Sequence, residues 1–155
     1  MNEILTAQHA SAAPTDFDGA IEAFRHALVR YVKGDPRRAL ERFSQRDDVT
    51  LANPLGPPCR GPEEVSRVAT DAATHLRDGS PPHFEEISRY STSDLGYVVQ
   101  IERTQARVAG SESLSQIALR VTMIFRREGD TWKVAHRHAD SITTPRPITT
   151  IIQGA

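Results

Sequence analysis

The chain has 155 residues, 38% of them hydrophobic and 25% charged, and a formal net charge of -1. That length suits one domain with a single sizeable core, and the near-neutral balance gives no global reason to expect nucleic acid or an anionic membrane as a partner. The single Cys59 excludes an intramolecular disulfide and a cysteine-based metal site, and no stretch approaches the ~20 apolar residues of a membrane span.

Residues 1–15 are rich in Ala, Ser and Thr, lack a signal-peptide pattern and read as a flexible tail, so a cytoplasmic protein is expected. Thr15 and Asp18 have capping-box spacing, and Phe17, Ile21, Phe24, Leu28 and Tyr31 then recur three or four apart. The pattern predicts an amphipathic helix over 17–33, ended by Gly34. Asp35-Pro36 opens a second, short helix carrying Leu40 and Phe43. Residues 48–52 fit a strand, and 53–61, with three prolines and two glycines, are expected to be irregular. Pro62 opens a third helix with Val65, Val68, Ala69, Ala72 and Leu76 on its buried stripe, stopped by Gly79.

Four strands follow, near 82–92, 95–109, 114–128 and 131–143, separated by turns at Ser93-Asp94, Gly110-Ser111 and Gly129-Asp130. Pro145 and Pro147 discourage further pairing, leaving residues 144–155 as a tail whose Ile148, Ile151 and Ile152 are expected to cover something apolar. Helices first and an antiparallel meander second make a single α+β domain over 16–143.

The last two strands carry the candidate chemistry. Val121, Met123 and Phe125 alternate with Arg120, Thr122 and Ile124, the period of a two-faced sheet. With a two-residue Gly129-Asp130 turn, Phe125 pairs with Val134, Met123 with His136 and Val121 with His138. If that apolar face meets the helices, His136, His138 and Asp140 border a pocket, where imidazoles suit general acid–base work. The bland alternative makes them hydrogen-bonded structural residues or interface residues. A metal reading also exists, since imidazoles and a carboxylate suit zinc or iron, but a straight strand splays three successive same-face ligands. No metal or other cofactor is expected. The opposite face offers Gln100, Glu102, Arg120, Thr122 and Arg137, which read as a cross-strand ion-pair ladder on a solvent or dimer surface. Tyr31 and Asn53 are ligand-binding candidates, against the plainer roles of core tyrosine and turn residue. Trp132 reads as a packing anchor, and Cys59 has no base to make it a nucleophile.

The element order, the run Gly96-Tyr-Val-Val-Gln-Ile-Glu-Arg103 and the strand ending Trp132-Lys-Val-Ala-His-Arg-His138 resemble the SnoaL-like branch of the nuclear transport factor 2-like superfamily. The resemblance spans essentially residues 17–143 and implies a conical barrel. In it a strongly curved, mostly antiparallel sheet carries three N-terminal helices on its concave face and encloses a pocket. It also implies a small-molecule ligand in that pocket and a homodimer. Ketosteroid isomerases of the superfamily place their proton-carrying Asp at the position of Asn53 and their oxyanion Tyr at Ala27, and Ala118–Phe125 holds no carboxylate as second donor. Steroid isomerisation by that route is therefore not expected. SnoaL-type cyclases place an acid at Ala139, one residue from Asp140. Kinase association domains line their pocket with arginines, one at a position resembling Glu102, which would turn Glu102, Arg120 and Arg137 inward towards a ligand. The expected function is small-molecule binding in an unassigned pathway. Isomerase- or cyclase-type chemistry on a carbonyl-containing or polycyclic substrate would use His136, His138 and Asp140. The alternative is a non-catalytic ligand-sensing or oligomeric association module.

Overall fold

The computed structural model describes residues 13–154; the expected tail over residues 1–12 lies outside them. Helix α1 spans Phe17–Tyr31 and buries Phe17, Ala20, Ile21, Phe24, Ala27 and Leu28 on one side. Its cap is Asp16 rather than Thr15: the Asp16 carboxylate accepts the Gly19 amide at 2.6 Å, satisfying one of the orphan donors of the first turn. Asp18, the other half of the expected capping box, accepts from Arg89 Nη1 at 2.8 Å instead. Beyond the helix Gly34 takes φ of 97°, a left-handed conformation that needs glycine. Helix α2, Arg37–Leu40, follows Asp35, whose carboxylate accepts the Arg37 amide at 3.1 Å.

Strand β1, Thr50–Ala52, is followed by β2, Cys59–Arg60, a short pairing inside the segment expected to be irregular. Helix α3 covers Pro62–Thr74 and buries Val65, Ala69 and Ala73. Leu76 is not on its stripe. It leaves the helix for β3, Leu76–Arg77, which pairs with Val108 and Arg107. Nor does Gly79 stop the helix: a Cβ there would lie 2.3 Å from the Val32 carbonyl oxygen, so glycine permits the chain to cross the end of α1.

Strands β4 (His83–Ser91), β5 (Leu95–Val108), β6 (Leu114–Glu128) and β7 (Thr131–Asp140) complete a seven-stranded sheet of order β2-β1-β7-β6-β5-β3, with β4 also paired to β5. All pairs are antiparallel except β1 with β7. The sheet curves around the helices as the conical α+β fold requires. Its concave face contributes Val98, Val121, Met123, Phe125 and Val134 to a core shared with α1 and with Val65 and Ala69 of α3. Phe17 seals one end, edge-on to Phe125 at 5.7 Å and tilted against Trp132 at 5.6 Å. A Cβ on Gly96 would sit 2.5 Å from the Phe17 ring, so that glycine lets α1 close onto β5. Each such buried aromatic contributes ~1.5–3 kcal/mol.

No described helix is long and apolar enough to cross a membrane. After β7 the chain forms an extended strap with one 3-10 turn, Ile148–Ile151. Contrary to expectation, the strap's isoleucines are not packed on an apolar surface among the described residues: Ile148, Ile151 and Ile152 are 76, 76 and 71% exposed.

Candidate functional site

One extra residue decides which side chains of β7 face the helices. Close to the Gly129-Asp130 turn the pairing is as expected, Phe125 with Val134. Then Ile124 pairs with His136, so Ala135 is the additional residue of a β-bulge. Because side chains alternate strictly along a strand, one inserted residue turns everything beyond it to the other face. Met123 therefore pairs with Arg137 rather than His136, and Val121 with Ala139 rather than His138. Arg137 and Ala139 are buried on the inner face, whereas His138 is exposed.

The inner face borders a cavity of about 500 Å³. Phe24, Leu28 and Tyr31 of α1, Ala69 and Ala72 of α3, and Leu119, Ile117 and Ala139 of the sheet supply its apolar walls. Asn53, His75 and Thr104 add polar groups, and Glu102 and Arg137 form a charged pair on the lining. Arg137 donates from Nη1 and Nη2 to the two Glu102 oxygens at 2.9 and 2.7 Å, and its guanidinium carbon lies 5.2 Å from the Phe24 ring centre. Burial opposes charge on Arg137, but the adjacent Glu102 carboxylate outweighs it and holds the guanidinium above its ordinary value.

Gln100 braces this pair from behind. Its nitrogen donates to Glu102 Oε2 at 2.8 Å, and its oxygen accepts from Arg25 Nε and Nη2 at 3.0 and 2.7 Å. Only that amide orientation satisfies both neighbours, since a flipped amide would set N–H groups against the guanidinium. Arg25 continues to Glu86 at 2.8 Å, and Glu86 to Arg89 at 2.5 Å. The Arg89 hydrogen bond in particular draws the Glu86 carboxyl down to about 2. Acid and base thus alternate from the surface to the cavity lining.

Tyr31 and Asn53 line the cavity, and each has a local partner. The Tyr31 hydroxyl donates to the Ala69 carbonyl at 2.7 Å, and burial pushes its pKa up to about 12. Asn53 accepts the Leu55 amide at 3.0 Å, which is turn chemistry before Pro54. His136, His138, Asp140 and Arg120 do not border the cavity; the bulge places the three β7 residues on the outer face, and Arg120 of β6 faces outward by alternation with the buried Val121. There Arg120 donates to Asp140 at 2.6 Å, Asp140 lies 3.1 Å from His138 Nε2, and His136 Nδ1 meets Thr50 Oγ1 at 2.7 Å. Burial raises the Asp140 carboxyl, but the Arg120 hydrogen bonds and the Ile142 amide outweigh it and hold it below the usual range. Burial, and then the neighbouring His138, lowers His136.

The expected surface ladder is likewise divided. Glu102 pairs with Leu119, so Gln100 and Glu102 face inward with Val121, while Arg120 and Thr122 face outward. Sequence reasoning overlooked His75, the residue after α3, and Arg25, which shares the helical spacing of α1 with its apolar neighbours but sits beside their stripe. Burial pushes the Cys59 thiol up, away from nucleophilic character. Among the described residues no group of three or more His, Cys, Asp or Glu converges as a metal site.

The sequence model of the SnoaL-like domain matches residues 21–144. Among solved structures, the chain is similar to a ketosteroid isomerase-like protein from Erwinia carotovora atroseptica, with 17% identity, TM-score 0.68, and 93% of this chain and 100% of that one covered. It is also similar to a domain from Thiobacillus denitrificans, provisionally assigned as a calcium/calmodulin-dependent protein kinase type II association domain, with 17% identity, TM-score 0.66 and coverage of 86% and 100%. A third, from Streptomyces avermitilis, is provisionally assigned as a dehydratase of the NTF2-like family, with 20% identity, TM-score 0.62 and coverage of 81% and 95%. At these identities the likeness is one of fold. No curated protein matches the chain at a significant level.

Proposed function

The chain belongs to the SnoaL-like family of the NTF2-like superfamily, and from that premise we propose that it binds a small, mainly apolar molecule in the cavity between α1, α3 and the concave face of the sheet. The observation that carries this reading is the cavity itself. Its volume of about 500 Å³ falls among ligand sites, and its wall is hydrocarbon interrupted by the Glu102–Arg137 pair. A purely structural core would gain stability by filling such a space, because voids forfeit packing contacts.

The enzymatic form of the reading is isomerase- or cyclase-type proton transfer on a carbonyl-containing or polycyclic substrate in the cytoplasm. Within the cavity Glu102 is committed to Arg137 and Tyr31 to a carbonyl, so His75 is the proton-transfer candidate on the lining. We assign no cavity role to His136, His138 or Asp140. Association as a homodimer is a second reading. It is favoured by the uncovered outer face of the sheet, with Tyr90 and Tyr97 65 and 38% exposed, and by the exposed isoleucines of the strap.

An uncharged solvatochromic dye tests the binding reading. It should bind saturably at one site per chain, and Ala72→Phe, which narrows the cavity, should abolish the signal while Ile151→Ser does not. Dye binding lost with Ile151→Ser and kept with Ala72→Phe would place it on the strap and refute the proposal.

A further inference from the structure

Resting on that cavity reading, we propose that the ligand is uncharged at its buried end and carries a carbonyl-type acceptor beside an N–H or O–H donor, as in a carboxamide, lactam or hydroxyketone. Arg137 would donate to the acceptor and Glu102 would accept from the donor.

The argument starts from what the pair leaves unused. Glu102 occupies the Nη1 and Nη2 end of the guanidinium, and Nη1 also approaches the Met123 sulfur at 3.5 Å. Arg137 Nε makes no hydrogen bond among the described residues, although the side chain is only 10% exposed and lines the cavity. A guanidinium has five N–H donors, so one edge of Arg137 is available to an acceptor. On the carboxylate, Oε2 accepts from both Gln100 and Arg137, while Oε1 accepts from Arg137 alone. Each such oxygen has room for two donors, so Oε1 retains an acceptor position. The lining therefore offers one donor edge and one acceptor next to each other.

Charge selects the rest of the head group. An anionic ligand on the free edge of Arg137 would set a second buried negative charge beside Glu102, with one guanidinium to balance both. A cationic ligand on Oε1 would set a second positive charge beside Arg137. An uncharged donor–acceptor group leaves the ion pair intact and adds to it. The brace behind the pair keeps it from swinging to suit a charged ligand, since Gln100 is held between Glu102 and the Arg25–Glu86 chain.

Three probes with one naphthalene body separate the possibilities: 2-naphthamide, 2-naphthoate and headless 2-methylnaphthalene, titrated into the full chain at neutral pH by calorimetry or ligand-observed NMR. The amide is expected to bind about tenfold more tightly than either of the others, the scale of discrimination that buried hydrogen-bonding groups provide. Glu102→Gln should shift preference towards the naphthoate by a similar factor, because the neutral side chain no longer competes for Arg137. Naphthoate binding as tightly as the amide to the wild-type chain would overturn the inference, and so would equal affinity for all three probes, which leaves cavity binding standing. If no probe binds, the cavity reading falls with it. The wild-type comparison decides the matter even if the variant does not fold.

Discussion

Two ion pairs anchor the last strand, and they differ in little except where they point. Arg137–Glu102 on the inner face and Arg120–Asp140 on the outer face have contacts of 2.7 and 2.6 Å. The inner side chains are 10 and 7% exposed, the outer ones 50 and 19%. Water screens the outer pair, which limits its contribution to ~0–1 kcal/mol. The inner pair has been stripped of water and depends on its own geometry, so loss of one partner strands a buried charge at a cost of ~3–5 kcal/mol. Solvent exposure, rather than contact distance, therefore separates a pair that decorates a surface from one that shapes a cavity.

The most damaging way to break this contrast is to strand the buried charge of the inner pair. Arg137→Met should cost ~3–5 kcal/mol, measured as a lowered urea midpoint. The double variant Arg137→Met with Glu102→Leu should recover much of that loss, since the stranded charge is gone.

Acid sharpens the comparison differently. Glu86 is held near 2 by Arg89, with Arg25 assisting, against an ordinary value of 4.5. A carboxylate depressed in the folded state stabilises fully above its unfolded value and loses that contribution as pH falls. Stability should therefore drop between about pH 4.5 and 2, and Glu86→Gln should flatten this part of the profile. His136 has the opposite chemistry but the same slope. Its folded value lies below the ordinary 6.5, so the unfolded chain takes up the proton first and stability falls as pH drops below that point. His136→Gln should remove the fall. The smallest effect is expected from Asp140→Asn, within ~1 kcal/mol by urea denaturation.

Much of the fold was legible from spacing. The stripe of α1, the Pro62 start of α3 and the alternation of β5 and β6 each reflect a burial pattern that repeats along the chain. Misreadings occurred where one residue breaks a period. Ala135 has no bulge signature, so the histidines seemed to face the helices when Arg137 and Ala139 do. Leu76 continues the helical spacing of α3 but joins a strand, because its pairing with Val108 is set by the tertiary fold. The site suffered more than the fold. Glu102, Arg137, Tyr31 and Asn53 were singled out by residue type, but the contact between Glu102 and Arg137 depends on register across two strand pairings. Arg25 and His75 join through contacts distant in sequence.

The most direct test is to follow two side chains while a neutral naphthalene probe is titrated into isotopically labelled protein. With the inner face of β7 as the binding site, the Arg137 Nε–Hε resonance should shift saturably while the ring resonances of His136 and His138 stay in place. Histidine shifts with an unmoved Arg137 would put ligand on the outer face and contradict the inward-facing site.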